Sequence, residues 1–145
     1  RFIAAGGHSH VDEAMIAALP QGHPLAASDA PLGLRELANE PFVVYRRANG
    51  PGIQDVLAAA CRQAGFEPRA VETVPRLLSA LTMVAAGRGV ALVPEALRVV
   101  LQASVHYRPL KSEDHFSVPL TLAHRPVEPG SPLDRFVGLL RSPVP

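Results

Sequence analysis

Phe42 to Val93 reads FVVYRRANGPGIQDVLAAACRQAGFEPRAVETVPRLLSALTMVAAGRGVALV, and the punctuation of this stretch decides the fold class. Phe42-Val43-Val44-Tyr45 is β-branched and aromatic with Pro41 at its entrance, which is strand chemistry. A polar, glycine-bearing loop from Arg46 to Gly52 then opens a helix. Its apolar residues Ile53, Val56, Leu57, Ala60, Cys61 and Ala64 fall at steps of three and four, so they share one face. Gly65 stops the helix and Phe66-Glu67-Pro68 turns the chain. Ala70-Val71-Glu72-Thr73 is a second short strand, and Leu77, Leu78, Leu81, Val84 and Ala85 mark a second helix. Gly87-Arg88-Gly89 ends that helix, and Val90-Ala91-Leu92-Val93 makes a third strand, stopped by Pro94 at the start of another short helix. Strands joined in sequence by helical crossovers pair in parallel with right-handed connections. The pattern predicts an α/β unit.

Either side of this stretch the elements are shorter. The first ten residues read as a loop or a frayed end, and Met15-Ile16-Ala17-Ala18-Leu19 is a strand stopped by Pro20-Gln21-Gly22. His23 to Pro31 reads as a loop, and Leu34 to Ala38 as at most a helical turn. Past Ala103 the pattern is strand-like again at Val105-His106-Tyr107 and Val118 to Ala123, with a charged turn at Lys111 to His115. Ser131-Pro132-Leu133-Asp134 starts a last helix with a capping serine, a proline and an early acid, and its face is Leu133, Phe136, Val137 and Leu140.

Composition narrows the function. The 145 residues are 48% hydrophobic and 19% charged, which is enough apolar surface for a packed core. Lys+Arg 14 against Asp+Glu 13 leaves a charge of +1, without the basic excess of a domain that grips nucleic-acid phosphates. A single cysteine excludes an internal disulfide framework and a Cys-rich zinc site, and fits a reducing, cytoplasmic setting. The apolar runs are too short to span a bilayer, so no membrane partner is expected. Arg1 to Gly7 is too short for a secretory signal, as in a fragment of a longer chain.

The reactive side chains do not assemble an enzyme. Cys61 lies on the apolar stripe of its helix, where free cysteine behaves as a small hydrophobe. His8 and His10 form a His-x-His pair without supporting carboxylates or thiols. Ser79 and Ser104 lack the setting of a nucleophile elbow. Gly50-Pro51-Gly52 and Gly87-Arg88-Gly89 lack the spacing of phosphate-binding loops, and the second is better explained as a helix stop. No catalytic residue, metal or cofactor is expected. Arg46 to Gly52 and Thr73 to Arg76 are the better lead. In a parallel sheet these loops lie at the carboxyl edge, where ligands bind, and each leads to a helix start with free N–H groups. Arg46, Arg47 and Arg76 add positive charge there, unless all three are merely solvated surface.

Several of these elements occur together in a recognisable order. Gly22-His23-Pro24-Leu25-Ala26, Leu34-x-x-Leu37-Ala38, Gly65-Phe66-x-Pro68 and Val84-Ala85-Ala86-Gly87-Arg88-Gly89-Val90-Ala91-Leu92-Val93-Pro94 resemble the effector-binding domain of LysR-type transcriptional regulators, over roughly Val11 to Arg141. The likeness is greatest to members that sense aromatic acids such as benzoate or muconate. The resemblance implies Rossmann-like subdomains of the type II periplasmic-binding-protein kind, joined by two crossing strands, with the first subdomain incomplete. It divides the chain into residues 1–24 (remnant of the first subdomain and first crossing strand, Met15 to Leu19), 25–103 (second subdomain) and 104–145 (second crossing strand, Val105 to Leu110, and the return to the first).

The same resemblance implies a small organic anion as effector, control of transcription through a DNA-bound oligomer, and self-association. DNA would be held only through a winged helix-turn-helix segment that this sequence lacks. The family's effector contacts match at Pro51, Gly52 and Ile53 in the first loop and at Arg76 and Leu77 in the second, with Leu120 as an apolar wall. Arg46 joins them from the loop chemistry. Members of the aromatic-acid group can carry an acid where Arg76 stands. The alternative is a solute-binding protein of a transport system; an α/β enzyme is a third class, without a catalytic anchor here.

Overall fold

The computed structural model describes residues 10–46, 52–121 and 124–141, with the backbone alone at 10, 11, 120, 121, 140 and 141. The strands are β1 (His10–Pro20), β2 (Pro41–Tyr45), β3 (Arg69–Val74), β4 (Ala91–Pro94), β5 (Val105–Pro109) and β6 (Ser117–Thr121). The helices are α1 (Ile53–Gln63), α2 (Leu77–Ala85) and α3 (Pro132–Arg141), and short 3-10 turns occupy Pro24–Ala27, Leu34–Leu37, Glu95–Val99 and Ser112–Asp114. Two compact units result: Glu13–Val118 forms one, and residues 1–12 with 119–145 form the other. The chain passes between them inside β1 and inside β6, while β5 is internal to the larger unit.

Within Glu13–Val118, β2 and β3 pair in parallel, from Pro41 opposite Arg69 to Tyr45 opposite Val74, as α1 between them requires. The third strand departs from the expected parallel order. Only Val90 bridges β2 in parallel, at Phe42; from Ala91 onward β4 pairs antiparallel with β1. Gly89 permits the switch, because a Cβ there would stand 2.4 Å from the Pro41 carbonyl oxygen. β1 is flanked by β4 and β5, both antiparallel, and also pairs with β6. His10, expected in a terminal loop, opens β1.

Burial explains why β1 reads as an unbroken apolar run. Met15, Ala17 and Leu19 face a core with Leu32, Leu37, Phe42, Leu57 and Cys61, whereas Ile16 and Ala18 face a second core with Leu81, Val84 and Val93. A strand covered on both faces needs apolar residues at every position. The two helices that pack on these cores end alike. Gly65 (φ 89°) and Gly87 (φ 75°) take the left-handed conformation glycine favours. Phe66 N–H then donates to Cys61 O and Arg88 N–H to Met83 O, each at 3.0 Å, closing the last turn.

In the smaller unit α3 starts as its sequence predicts. Ser131 Oγ accepts from Asp134 N–H at 3.1 Å, while Asp134 Oδ2 accepts from Gly130 N–H at 2.8 Å. Of the expected apolar face, Val137 is buried and Leu133 half-buried, but Phe136 is 53% exposed, so the face is only partly covered.

Candidate functional site

The carboxyl ends of β2 and β3 lie side by side. Tyr45 is opposite Val74, and Arg46 N–H continues the ladder by donating to Val74 O at 3.0 Å. That register brings Arg46 and Pro75-Arg76 to one edge of the parallel pair. Both arginines are exposed, and neither has an ion-pair partner among the described residues. Other arginines are engaged: Arg88 donates to Glu72 at 2.7 Å and Arg98 pairs with Glu95 at 3.1 Å.

The two helix starts at this edge differ chemically. At α1, Gly52 N–H donates to the Asp55 carboxylate at 2.9 Å, and Asp55 N–H donates back to Gly52 O at 3.0 Å. The positive end of α1 is therefore already met by an internal anion. At α2 no side chain caps the first turn, which contains no acid, and the flanking residue is Arg76 itself. Its first N–H groups are the freer donors for an incoming anion. Ile53 and Leu77 are half-buried at the two starts and supply apolar surface.

In the larger unit the strand register sets Arg46 level with Val74, ahead of Arg76 and Leu77. Gly52 and Ile53 start α1, which packs on the core of Met15, Phe42 and Leu57 and not on the core of Ile16, Val43 and Leu81 that α2 covers. Pro51 and Arg47 lie outside the described residues, and Leu120 is described only as backbone of β6, in the other unit. Asp55 was not singled out in the sequence, although an acid at the third helical position after a glycine N-cap is a known signal. Gln54 follows Ile53 in the same first turn, and its Oε1 is buried without a hydrogen-bond partner among the described residues.

Cys61 is fully buried, and burial, with Glu67 adding to the effect and Arg62 opposing it, pushes its thiol up from 9.0 to about 11. It is inert core, as its place on the apolar stripe implies. His8 lies outside the described residues, and among those described no cluster of three potential metal ligands occurs. No described helix is long and apolar enough to cross a membrane.

A parallel strand pair whose carboxyl edge feeds helix starts is the arrangement of α/β folds in which ligands bind at that edge. The chain belongs to the LysR substrate binding domain family, which its sequence matches over residues 8–143. It is 32% identical over 114 residues to the probable cat1 operon transcriptional activator of Acinetobacter lwoffii, covering 79% of this chain and 37% of that protein. The HTH-type transcriptional regulator CatR of Pseudomonas putida is also 32% identical over 114 residues, covering 79% and 38%. The crystal structure of full-length BenM superposes with a TM-score of 0.71 at 27% identity, covering 84% of this chain and 41% of that one. The BenM effector binding domain, solved with its effector benzoate, shares the fold with a TM-score of 0.73 at 22% identity, covering 99% and 69%. The chain spans about two fifths of the length of the curated relatives it matches, 37% and 43% in two of them.

Proposed function

We propose that this chain is the effector-sensing part of a LysR-type transcriptional regulator, and that the carboxyl edge of β2 and β3 takes a small organic carboxylate. The observation that carries this is the α2 start: an uncapped first turn without an acid, flanked by Arg76 and level with Arg46. A carboxylate there meets backbone N–H donors and a guanidinium able to grip both its oxygens. Gly52, Ile53 and Leu77, all in the larger unit, would complete the contacts, with Ile53 and Leu77 as apolar surface for the effector's body. One relative of the same fold was solved with benzoate, which agrees with this class. Binding acts by population shift, since an effector that prefers one conformation enriches it.

The role is regulatory and not enzymatic, and the transport alternative is disfavoured because the relatives are transcriptional regulators. Control passes through an oligomer held on DNA by a segment outside this sequence. On α3, exposed Phe136 and Leu139 lie three residues apart on one helix and favour self-association. The test is calorimetric titration of benzoate, an aliphatic dicarboxylate and neutral benzamide into the parent chain and Arg76→Ala. Losing a charge-assisted contact costs about 1.5–3 kcal/mol, or about one to two decades in affinity. Equal carboxylate affinity in both proteins removes Arg76 from the site, and binding of benzamide alone refutes the anion assignment.

A further inference from the structure

Arg108, on β5, is the only buried charged side chain among the described residues, at 5% exposure. No carboxylate pairs with it there. Its Nε instead donates to Ala30 O at 2.8 Å and its Nη1 to Leu25 O at 2.9 Å. One guanidinium therefore holds both ends of the segment Leu25–Ala30. Two residues back on the same face of β5, His106 Nε2 lies 3.2 Å from both Ser28 O and Asp29 Oδ1, so the middle of the segment is held as well. Residues 27–31 are exposed on their outer side, and little apolar burial holds them down. They lie on the connection from β1 to the Leu34–Leu37 turn.

We infer that Arg108 and His106 form a latch that keeps Leu25–Ala30 closed on β5, and that the latch is separable from the stability of the fold. A buried cation without a neutralising carboxylate carries its own desolvation cost. The carbonyls it holds lie on a largely exposed segment that water reaches once it opens, so an apolar side chain of similar size in its place costs the fold little. What the fork does supply is geometry, because two carbonyls five residues apart are fixed by one planar group. Leu25 and Ala26 also rest on the core, so the exposed residues 27–31 are the local opening unit, whose order depends on the β5 side chains.

The experiment is amide hydrogen exchange with a urea titration on the parent chain, Arg108→Met and Arg108→Lys. In Arg108→Met the urea midpoint is expected to hold or rise. Exchange at the Leu25, Ala26 and Ala30 amides is expected to quicken about tenfold, the scale of a lost charge-assisted bond. Arg108→Lys keeps the charge without the fork, so faster exchange confined to the same amides is expected there too, and an Arg108→Met chain that does not fold overturns the separability of the latch from the fold. Unchanged exchange there in the variants that fold overturns the latch. A fallen midpoint with faster exchange throughout β1, β2 and β4 also overturns it, since Arg108 is then an ordinary core support.

Discussion

Gly89→Ala is the sharpest perturbation of the fold, because it strikes the point where the parallel pair meets the antiparallel sheet. An added Cβ would stand 2.4 Å from Pro41 O and 3.0 Å from Pro41 C, both backbone atoms without a rotamer escape. Relief requires the two chains to part by somewhat under 1 Å, on the order of one van der Waals overlap. Two bonds straddle that point, Val43 N–H to Val90 O and Val90 N–H to Pro41 O, each at 2.8 Å. Weakening both costs about 1–3 kcal/mol, and loosening fully buried Phe42 and Val90 adds about 1 kcal/mol. The expected loss is about 2–4 kcal/mol, read as a lowered urea midpoint with unchanged slope. Two glycines calibrate it. Gly87→Ala meets open space but a φ of 75°, so about 1 kcal/mol is expected. Gly22→Ala meets nothing within 4 Å and should be neutral or slightly stabilising. If Gly89→Ala behaves like Gly22→Ala, the close approach of β4 to β2 is wrong.

Further outcomes follow from other contacts. Cys61 holds its proton more tightly folded than unfolded, so its contribution is intact below about pH 9 and is lost as pH rises toward about 11. An alkaline stability decline that is flattened in Cys61→Ala supports this, and an identical decline in both proteins contradicts it. Asp114 Oδ2 accepts from Leu34 N–H at 2.7 Å across 80 residues of sequence, so Asp114→Ala should lower stability by about 1–2 kcal/mol in a urea titration. Sedimentation over a concentration series should show dimers or larger species, and a strictly monomeric chain at high concentration refutes the proposed self-association. A gel-shift titration should show no sequence-selective DNA binding by this chain, given its charge of +1.

Much of the fold was legible because its signals are local. Helical spacing from Ile53 to Ala64, glycine stops at Gly65 and Gly87, and the β-branched and aromatic run Phe42 to Tyr45 each specify an element without tertiary help. The partner of β4 was not legible. Val90 to Val93 is apolar throughout, as any doubly covered strand would be, so the run itself does not show that Val90 bridges β2 while Ala91 onward pairs with β1. The candidate edge was half legible. Arg46 and Arg76 stand out by charge beside helix starts, but the internal anion at Asp55, which sets α1 apart from α2, is a matter of hydrogen bonding. Arg108 gave no sequence signal at all, since its acceptors are backbone carbonyls 78 and 83 residues away.

The most direct test of the central claim is an amide chemical-shift titration of this chain with benzoate, because it reports where the carboxylate sits. The largest saturable shifts are expected at the first-turn amides of α2, Leu77, Leu78 and Ser79, with smaller ones at Gly52 and Ile53, and Arg76→Ala should weaken them by about a decade or more. Saturable shifts confined to residues away from the carboxyl edge of β2 and β3, or equal titrations with benzamide, would contradict it.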